Sequence, residues 1–275
     1  MQKKYYFMAG LPRSGSTLLS GLLNQNPNIY SGPSSPVLST MHVVETHLRQ
    51  DELFMGYPKP QQAQELITNV INHFYSDVQK PVVIDKNRAW TARIPFIEGY
   101  FQTKAKIICP VRDLEEIFTS LITMVRRNPY QEGNPRINFI DEQLIKNNLP
   151  ISDIARCNFF VSPQGILGQS LNATRECIKE GFRDRLHFVE YKDLVNRPQE
   201  TMNAIYDFLG EEHFEHDFDN VKNVHRERDL QTYGVADMHE VRPQVKNTAP
   251  SPEQILPAEV LNGCAGMDFW RRALV

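Results

Sequence analysis

Four short runs are apolar almost throughout: YYFMA at Tyr5–Ala9, PVVID at Pro81–Asp85, KIICPV at Lys106–Val111 and LHFVEY at Leu186–Tyr191. Their length and their β-branched and aromatic content predict strands buried on both faces. Between these runs the apolar residues recur at helical spacing. Leu66, Ile67, Val70, Ile71 and Phe74 form one stripe, and Ile117, Phe118, Leu121, Ile122 and Val125 another. Thr17–Leu23, Gln164–Glu180 and Gln199–Leu209 supply further helices, the last introduced by Pro198. Strands alternating with helices predict an α/β fold: a parallel sheet covered by helices on both faces, with ligands beyond the carboxyl ends of the strands. Two tracts break the alternation. Asn128–Pro150, rich in Asn, Pro and charge, reads as an irregular insertion, either part of an acceptor pocket or lid or a plain surface loop. Glu211 to about Pro252 is polar and Pro-interrupted as well.

A chain of 275 residues suits one large-sheet domain, expected over residues 1–275. Thirty Lys+Arg against 33 Asp+Glu leave a net charge of −3 with no basic run, so no nucleic-acid or membrane partner is expected and any anion site must be a local pocket. Cys109, Cys157, Cys177 and Cys264 lie far apart without a C-x-x-C pair, which predicts reduced thiols. The N-terminal apolar stretch is too brief for a signal peptide or membrane span, and the expected location is the cytoplasm. The pattern does not indicate an oligomeric state.

Gly10–Thr17, GLPRSGST, follows the first strand and opens a helix. It fits the phosphate loop G-x-x-x-x-G-K-[ST] everywhere except at Ser16, which stands where the lysine belongs. Gly10 and Gly15 let the backbone approach an anion, the amides of Ser14, Gly15, Ser16 and Thr17 point at it, and Arg13 supplies a fixed charge. Nucleoside triphosphatases use that lysine and a magnesium ion on the β- and γ-phosphates, so this loop lacks part of their machinery.

On these residues the stretch FMAGLPRSGSTLLSGLLNQNPNIYSG (residues 7–32) resembles the 5′-phosphosulfate loop of sulfotransferases dependent on 3′-phosphoadenosine 5′-phosphosulfate (PAPS), most closely the tyrosylprotein branch. A sulfuryl group carries less charge than a phosphoryl group, and the resemblance implies transfer without a catalytic metal. KIICPVRDLEEIFTSL resembles the family's 3′-phosphate segment, which implies that Arg112 and Ser120 hold that phosphate; an Arg112–Asp113 ion pair at the helix start is the structural alternative. The family's further arginine on this helix falls at Met124, leaving Arg126 or Arg127 to substitute. In PVVIDKNRAW, Lys86 aligns with the lysine that stabilises charge building in the transition state; a solvated Lys86 paired with Asp85 is the alternative. Arg88 and Trp90 either shape the acceptor site or pack. Tyr191 aligns with a nucleotide-contacting tyrosine, and Arg242, with Lys246 assisting, with the basic segment that closes over the donor.

The pattern fails where the tyrosylprotein branch has a glutamate general base just beyond the glycine: Gly32 is followed by Pro33-Ser34-Ser35-Pro36. His42 and Glu45 on the following helix, or Asp85, are the base candidates the sequence offers, and two residues at i, i+3 without a third ligand are a weak metal signal. The family's cysteine before that glycine is Ser31. The expected function is sulfuryl transfer from PAPS, with 3′-phosphoadenosine 5′-phosphate (PAP) as product, to a hydroxyl or amine of an unidentified acceptor. A P-loop kinase or hydrolase, with Asp85 as magnesium ligand, and a non-catalytic nucleotide-binding protein are the rivals.

Overall fold

The computed structural model describes residues 3–129, 136–246, 250–264 and 266–272. Five strands, β1 (Lys4–Met8), β2 (Ile29–Ser34), β3 (Val82–Lys86), β4 (Ile107–Val111) and β5 (Leu186–Glu190), form one parallel sheet in the order β2-β3-β1-β4-β5. The central strands alternate between two cores, as strands buried on both faces must. Tyr6, Met8, Ile84 and Ile108 face a cluster built on Leu19, Leu22, Met202 and Ile205. Phe7, Val83, Ile107 and Cys109 face the other side, toward Met41, Ile71, Trp90 and Ile97. Of the stripe at residues 66–74, Ile67 and Ile71 are buried while Leu66 and Phe74 are exposed, because only one side of that helix meets the sheet. A third cluster joins the Leu114–Arg127 helix to Leu167 and Leu171.

The edge strand β2 has no counterpart among the sequence-predicted strands. Its sequence, IYSGPS, contains glycine, proline and serines, which signal a turn. Pro33 is accommodated because β2 pairs on one side only and its register shifts between Ser31 and Ser34. The insertion is also more regular than its composition predicts. Residues 130–135 lie outside the described residues, but Phe139–Lys146 is a helix capped by Asn138, whose Oδ1 accepts the Asp141 amide at 2.9 Å, with Ile140 and Leu144 buried beneath it. Residues 211–246 are irregular apart from the Asp229–Tyr233 turn. This tract is bonded across itself through Val221 N–H to Pro243 O at 2.7 Å and Val245 N–H to Phe218 O at 2.9 Å, and to the domain through Asp217 N–H to Gln25 Oε1 at 2.8 Å and Ala236 N–H to Asn128 Oδ1 at 2.9 Å. Among the described residues, the cysteines are buried and free, and no helix is long and apolar enough to cross a membrane.

Candidate active site

The loop after β1 is clamped to β4. Ala9 N–H bonds Ile108 O and Leu11 N–H bonds Pro110 O, both at 2.9 Å. A Cβ on Gly10 would stand 2.4 Å from Pro110 O, so this glycine serves close approach of two strands rather than of an anion. Gly15 caps the Ser16–Leu23 helix in the left-handed region, at φ 87°, with the Tyr191 ring against its α-carbon. Arg13 also sits at positive φ, 60°, a conformation that costs a residue with a Cβ about 1–3 kcal/mol. No side chain caps this helix and no acidic residue lies in its first turn, so the first-turn amides and the positive helix end face the cleft.

The Ser14 side chain points the other way. It is buried, its hydroxyl against the carbonyl oxygens of Leu11 and Pro110; only its backbone amide is left for a ligand. The other expected residues, Arg13, Gly15, Ser16, Thr17, Lys86, Arg112, Ser120, Tyr191, Arg242 and Lys246, line one cavity of about 510 Å³ at the carboxyl ends of β1, β3 and β4. This volume is in the range of small-molecule sites. Seven Lys or Arg side chains line it against Asp237 and Glu240, a local positive excess in a chain of net charge −3.

Within the cavity, Arg13 Nε donates to Ser120 Oγ at 3.1 Å and Nη1 to Met238 O at 2.7 Å. Arg112 donates through Nη1 to Arg13 O at 3.3 Å, pairs through Nε with Glu116 at 2.7 Å, and lies 4.1 Å from the centroid of the Tyr191 ring. The Arg112–Asp113 alternative is absent from this arrangement: Asp113 pairs with Arg271 instead. Burial, and after it the neighbouring Arg112 charge, pull the Arg13 pKa down, with Asp229 opposing. Two guanidinium groups crowded in this way favour an anion between them.

Lys86 ends β3, level with Met8 in the sheet register, and is 6% exposed. Its pairing with Asp85 is ruled out by the strand: Asp85 points to the opposite core, where it accepts from Tyr75 Oη and Trp90 Nε1 at 2.7 Å and from Ser35. Among the described residues no hydrogen bond or ion pair holds the Lys86 ammonium. Burial pulls its pKa below the ordinary lysine value and Arg88 adds to the effect, while Glu227 opposes both. Arg88 lines the cavity and Trp90 packs in the core.

Met124 lines the cavity, and of the two arginines beyond it Arg127 does so while Arg126 pairs with Asp153 at 2.6 Å. Arg242 and Lys246 are exposed, and Lys246 donates to Gln244 at 3.0 Å. None of the base candidates read from sequence lines the cavity. Glu45 is taken up by Tyr100 and Arg49, at 2.8 and 3.0 Å, with His42 3.7 Å away. Asp85 is enclosed.

The residues that sequence reasoning missed come from the irregular tract. Glu227, Asp229 and His239 place one donor atom each within 4.8 Å of one another, and His239 lines the cavity. Their spacing carries no motif; the only chemical signal was an accumulation of acidic and histidine residues in a segment without periodicity.

A parallel sheet with a glycine-bounded phosphate loop after β1 and a cationic cleft beyond its strands is the architecture of P-loop-type nucleotide-binding proteins. The sequence profile of the Sulfotransferase domain matches residues 3–241, and the chain belongs to that family. A Caenorhabditis briggsae protein, whose own designation as a protein-tyrosine sulfotransferase is provisional, is 24% identical over 211 residues; the match takes in 74% of this chain and 64% of that protein's length. Among solved structures, mouse sulfotransferase SULT7A1 complexed with PAP superimposes with a TM-score of 0.54 at 12% identity, over 97% of this chain and 82% of that one. The sulfotransferase domain from the curacin biosynthetic pathway gives 0.51 at 14% identity, covering 98% of both chains. Retinol dehydratase in a complex with retinol and PAP gives 0.50 at 12% identity, covering 98% and 81%. At these identities the likeness is one of fold.

Proposed function

We propose that the protein transfers a sulfuryl group from PAPS to a hydroxyl or amine by in-line displacement, without need of a metal. The observation that carries this reading is the cavity itself. It combines a phosphate loop without its lysine, a second anion position at Arg112 beside Ser120, and a buried Lys86 with no partner among the described residues. The first-turn amides with Arg13 hold the 5′-phosphosulfate, and Arg112 with Ser120 holds the 3′-phosphate. Arg127, Arg242 and Lys246 add positive charge around the donor. Lys86 donates to the oxygens on which charge builds, a role typically worth ~10²–10³ in rate. The family match and the fold shared with PAP-bound sulfotransferases support the same donor.

The kinase reading requires a carboxylate for magnesium near the loop, and the residue offered for it, Asp85, is fully buried and committed to Ser35, Tyr75 and Trp90. Free buried cysteines, with Ser31 bonded to Ser20 where the family has a cysteine, support a reducing cytoplasmic setting. Calorimetric titration with PAP, and separately with ATP plus magnesium, tests the donor. Tight metal-independent binding of PAP with weak binding of ATP is the expected result; preference for magnesium–ATP sinks the reading.

A further inference from the structure

We propose that His239, positioned by Asp229, is the general base that takes the acceptor's proton, replacing the carboxylate missing beyond Gly32. This inference rests on the sulfuryl-transfer reading above. Asp229 grips one residue twice: Oδ1 lies 2.7 Å from His239 Nδ1 and Oδ2 accepts the His239 backbone N–H at 2.8 Å. With a carboxylate oxygen facing Nδ1, the neutral tautomer that this geometry favours has its proton on Nδ1, which leaves Nε2 as the accepting position. Nε2 has no hydrogen-bond partner among the described residues and is not among their buried, unsatisfied polar atoms. The dyad is sheltered, with the two side chains 15% and 10% exposed, and His239 is among the residues that line the same cavity as Lys86, Ser16 and Thr17.

The backbone fixes this residue relative to the loop. Met238 O accepts from Arg13 Nη1 at 2.7 Å, and His239 O accepts from Asn223 Nδ2 at 2.9 Å. An arginine of the sulfuryl-binding loop thus holds the residue next to the base. The charged and titratable groups facing the imidazole are Asp229, Glu227 with Oε2 3.5 Å from Nδ1, and Tyr233 with ring centroids 5.7 Å apart. Beyond them lie Arg13, reached through Met238, and Lys86, Arg88 and His225, which interact electrostatically with Glu227. Glu227 therefore interacts both with the cationic side of the site and with the imidazole.

In the step, the acceptor O–H proton passes to Nε2 as the acceptor oxygen bonds to sulfur. The bond from sulfur to the bridging oxygen of the 5′-phosphate breaks, its electron pair leaving with PAP. Asp229 and Glu227 balance the imidazolium, as the carboxylate of a Ser-His-Asp triad does.

Two measurements decide the assignment. Long-range proton–nitrogen NMR of histidine-labelled protein, with His239→Gln supplying the assignment, should show His239 as the Nδ1-protonated tautomer in the neutral ring. An Nε2-protonated ring overturns the proposal even if no acceptor is found. Initial rates with PAPS and a panel of simple phenols form the second measurement. His239→Gln should lower kcat ~10²–10⁴-fold, with PAP affinity within about threefold of wild type. Asp229→Asn should shift the tautomer and lower kcat, and Asp229→Glu should restore part of both. Full rate in His239→Gln, loss confined to Glu227→Gln or His225→Gln, or loss on chelation reversed by zinc at the trio would each overturn the proposal. A wild-type protein that fails to bind PAP refutes the donor assignment instead, and the tautomer measurement keeps the two failures apart.

Discussion

Lys86 shows how much one residue's environment decides. As a surface lysine it would do little; buried at the end of β3, it is a cation with no hydrogen-bond or ion-pair partner among the described residues, lining a cleft. Lys86→Ala should lower transfer ~10²–10³-fold while PAP binding changes little, a split that rate assays and calorimetry resolve. Because burial lowers its pKa from 10.5, the rate should fall on the alkaline side below pH 10.5, and Lys86→Arg should remove that limb. Arg112→Ala removes a charge-assisted contact worth about 1.5–3 kcal/mol, so PAP affinity should fall at least tenfold while that of AMP, which lacks the 3′-phosphate, changes little, measured by the same titrations. Arg13 was read from the loop, and Lys86, Arg112 and Ser120 from a resemblance to the family's motifs; the fold brings all four to one cavity. Asp229 and His239 were not legible, since nothing periodic in residues 211–252 says which of its many polar groups turns inward.

At the scale of elements, the loop and the strands are held by residues that touch no ligand. Gly15→Ala places a Cβ at φ 87° and 2.7 Å from the Tyr191 ring; it should destabilise the fold by about 1–3 kcal/mol in urea titration and weaken PAP binding more than tenfold. Asp85 joins β3 to the helices beneath it. Asp85→Ala strands the donors Ser35, Tyr75 and Trp90 and should cost roughly 3 kcal/mol or more, Asp85→Asn less. Burial raises the Asp85 pKa above 3.8 against the opposing pull of those donors. The folded state then binds the proton more tightly than the unfolded state. This contribution to stability is full below pH 3.8 and is lost as pH rises through the folded value, and Asp85→Asn should flatten that slope in urea midpoints against pH. Four strands were readable as apolar runs. β2 was not, because an edge strand needs hydrogen bonds on one side only and tolerates the Gly32-Pro33 pair that marks turns elsewhere.

At the scale of the molecule, the proposed donor site draws on the ends of β1, β3 and β4, the Leu114–Arg127 helix, Tyr191 and the irregular tract at once. PAP binding should therefore stabilise the whole cooperative unit. At about 100 times its dissociation constant the gain is about 2.7 kcal/mol, read as a higher urea midpoint with an unchanged slope. A gain confined to one probe of unfolding would mean that the irregular tract closes separately from the sheet.

What the sequence determined by itself is local. Apolar runs and helical stripes define an alternating α/β chain, because side-chain periodicity is set by the backbone of each element. The loop GLPRSGST defines an anion site lacking the P-loop lysine, because a strand, two glycines and a helix start within a few residues suffice to build it. What only the tertiary structure decided is the company those residues keep. Packing enclosed Asp85 among Ser35, Tyr75 and Trp90 and left His42 and Glu45 outside the cleft. It also brought His239, more than 200 positions from Arg13 in the chain, to the loop through one carbonyl at 2.7 Å. Such contacts depend on where irregular backbone finds hydrogen-bond partners on the folded surface, and that information lies in the assembled sheet and helices rather than in any short stretch of the chain.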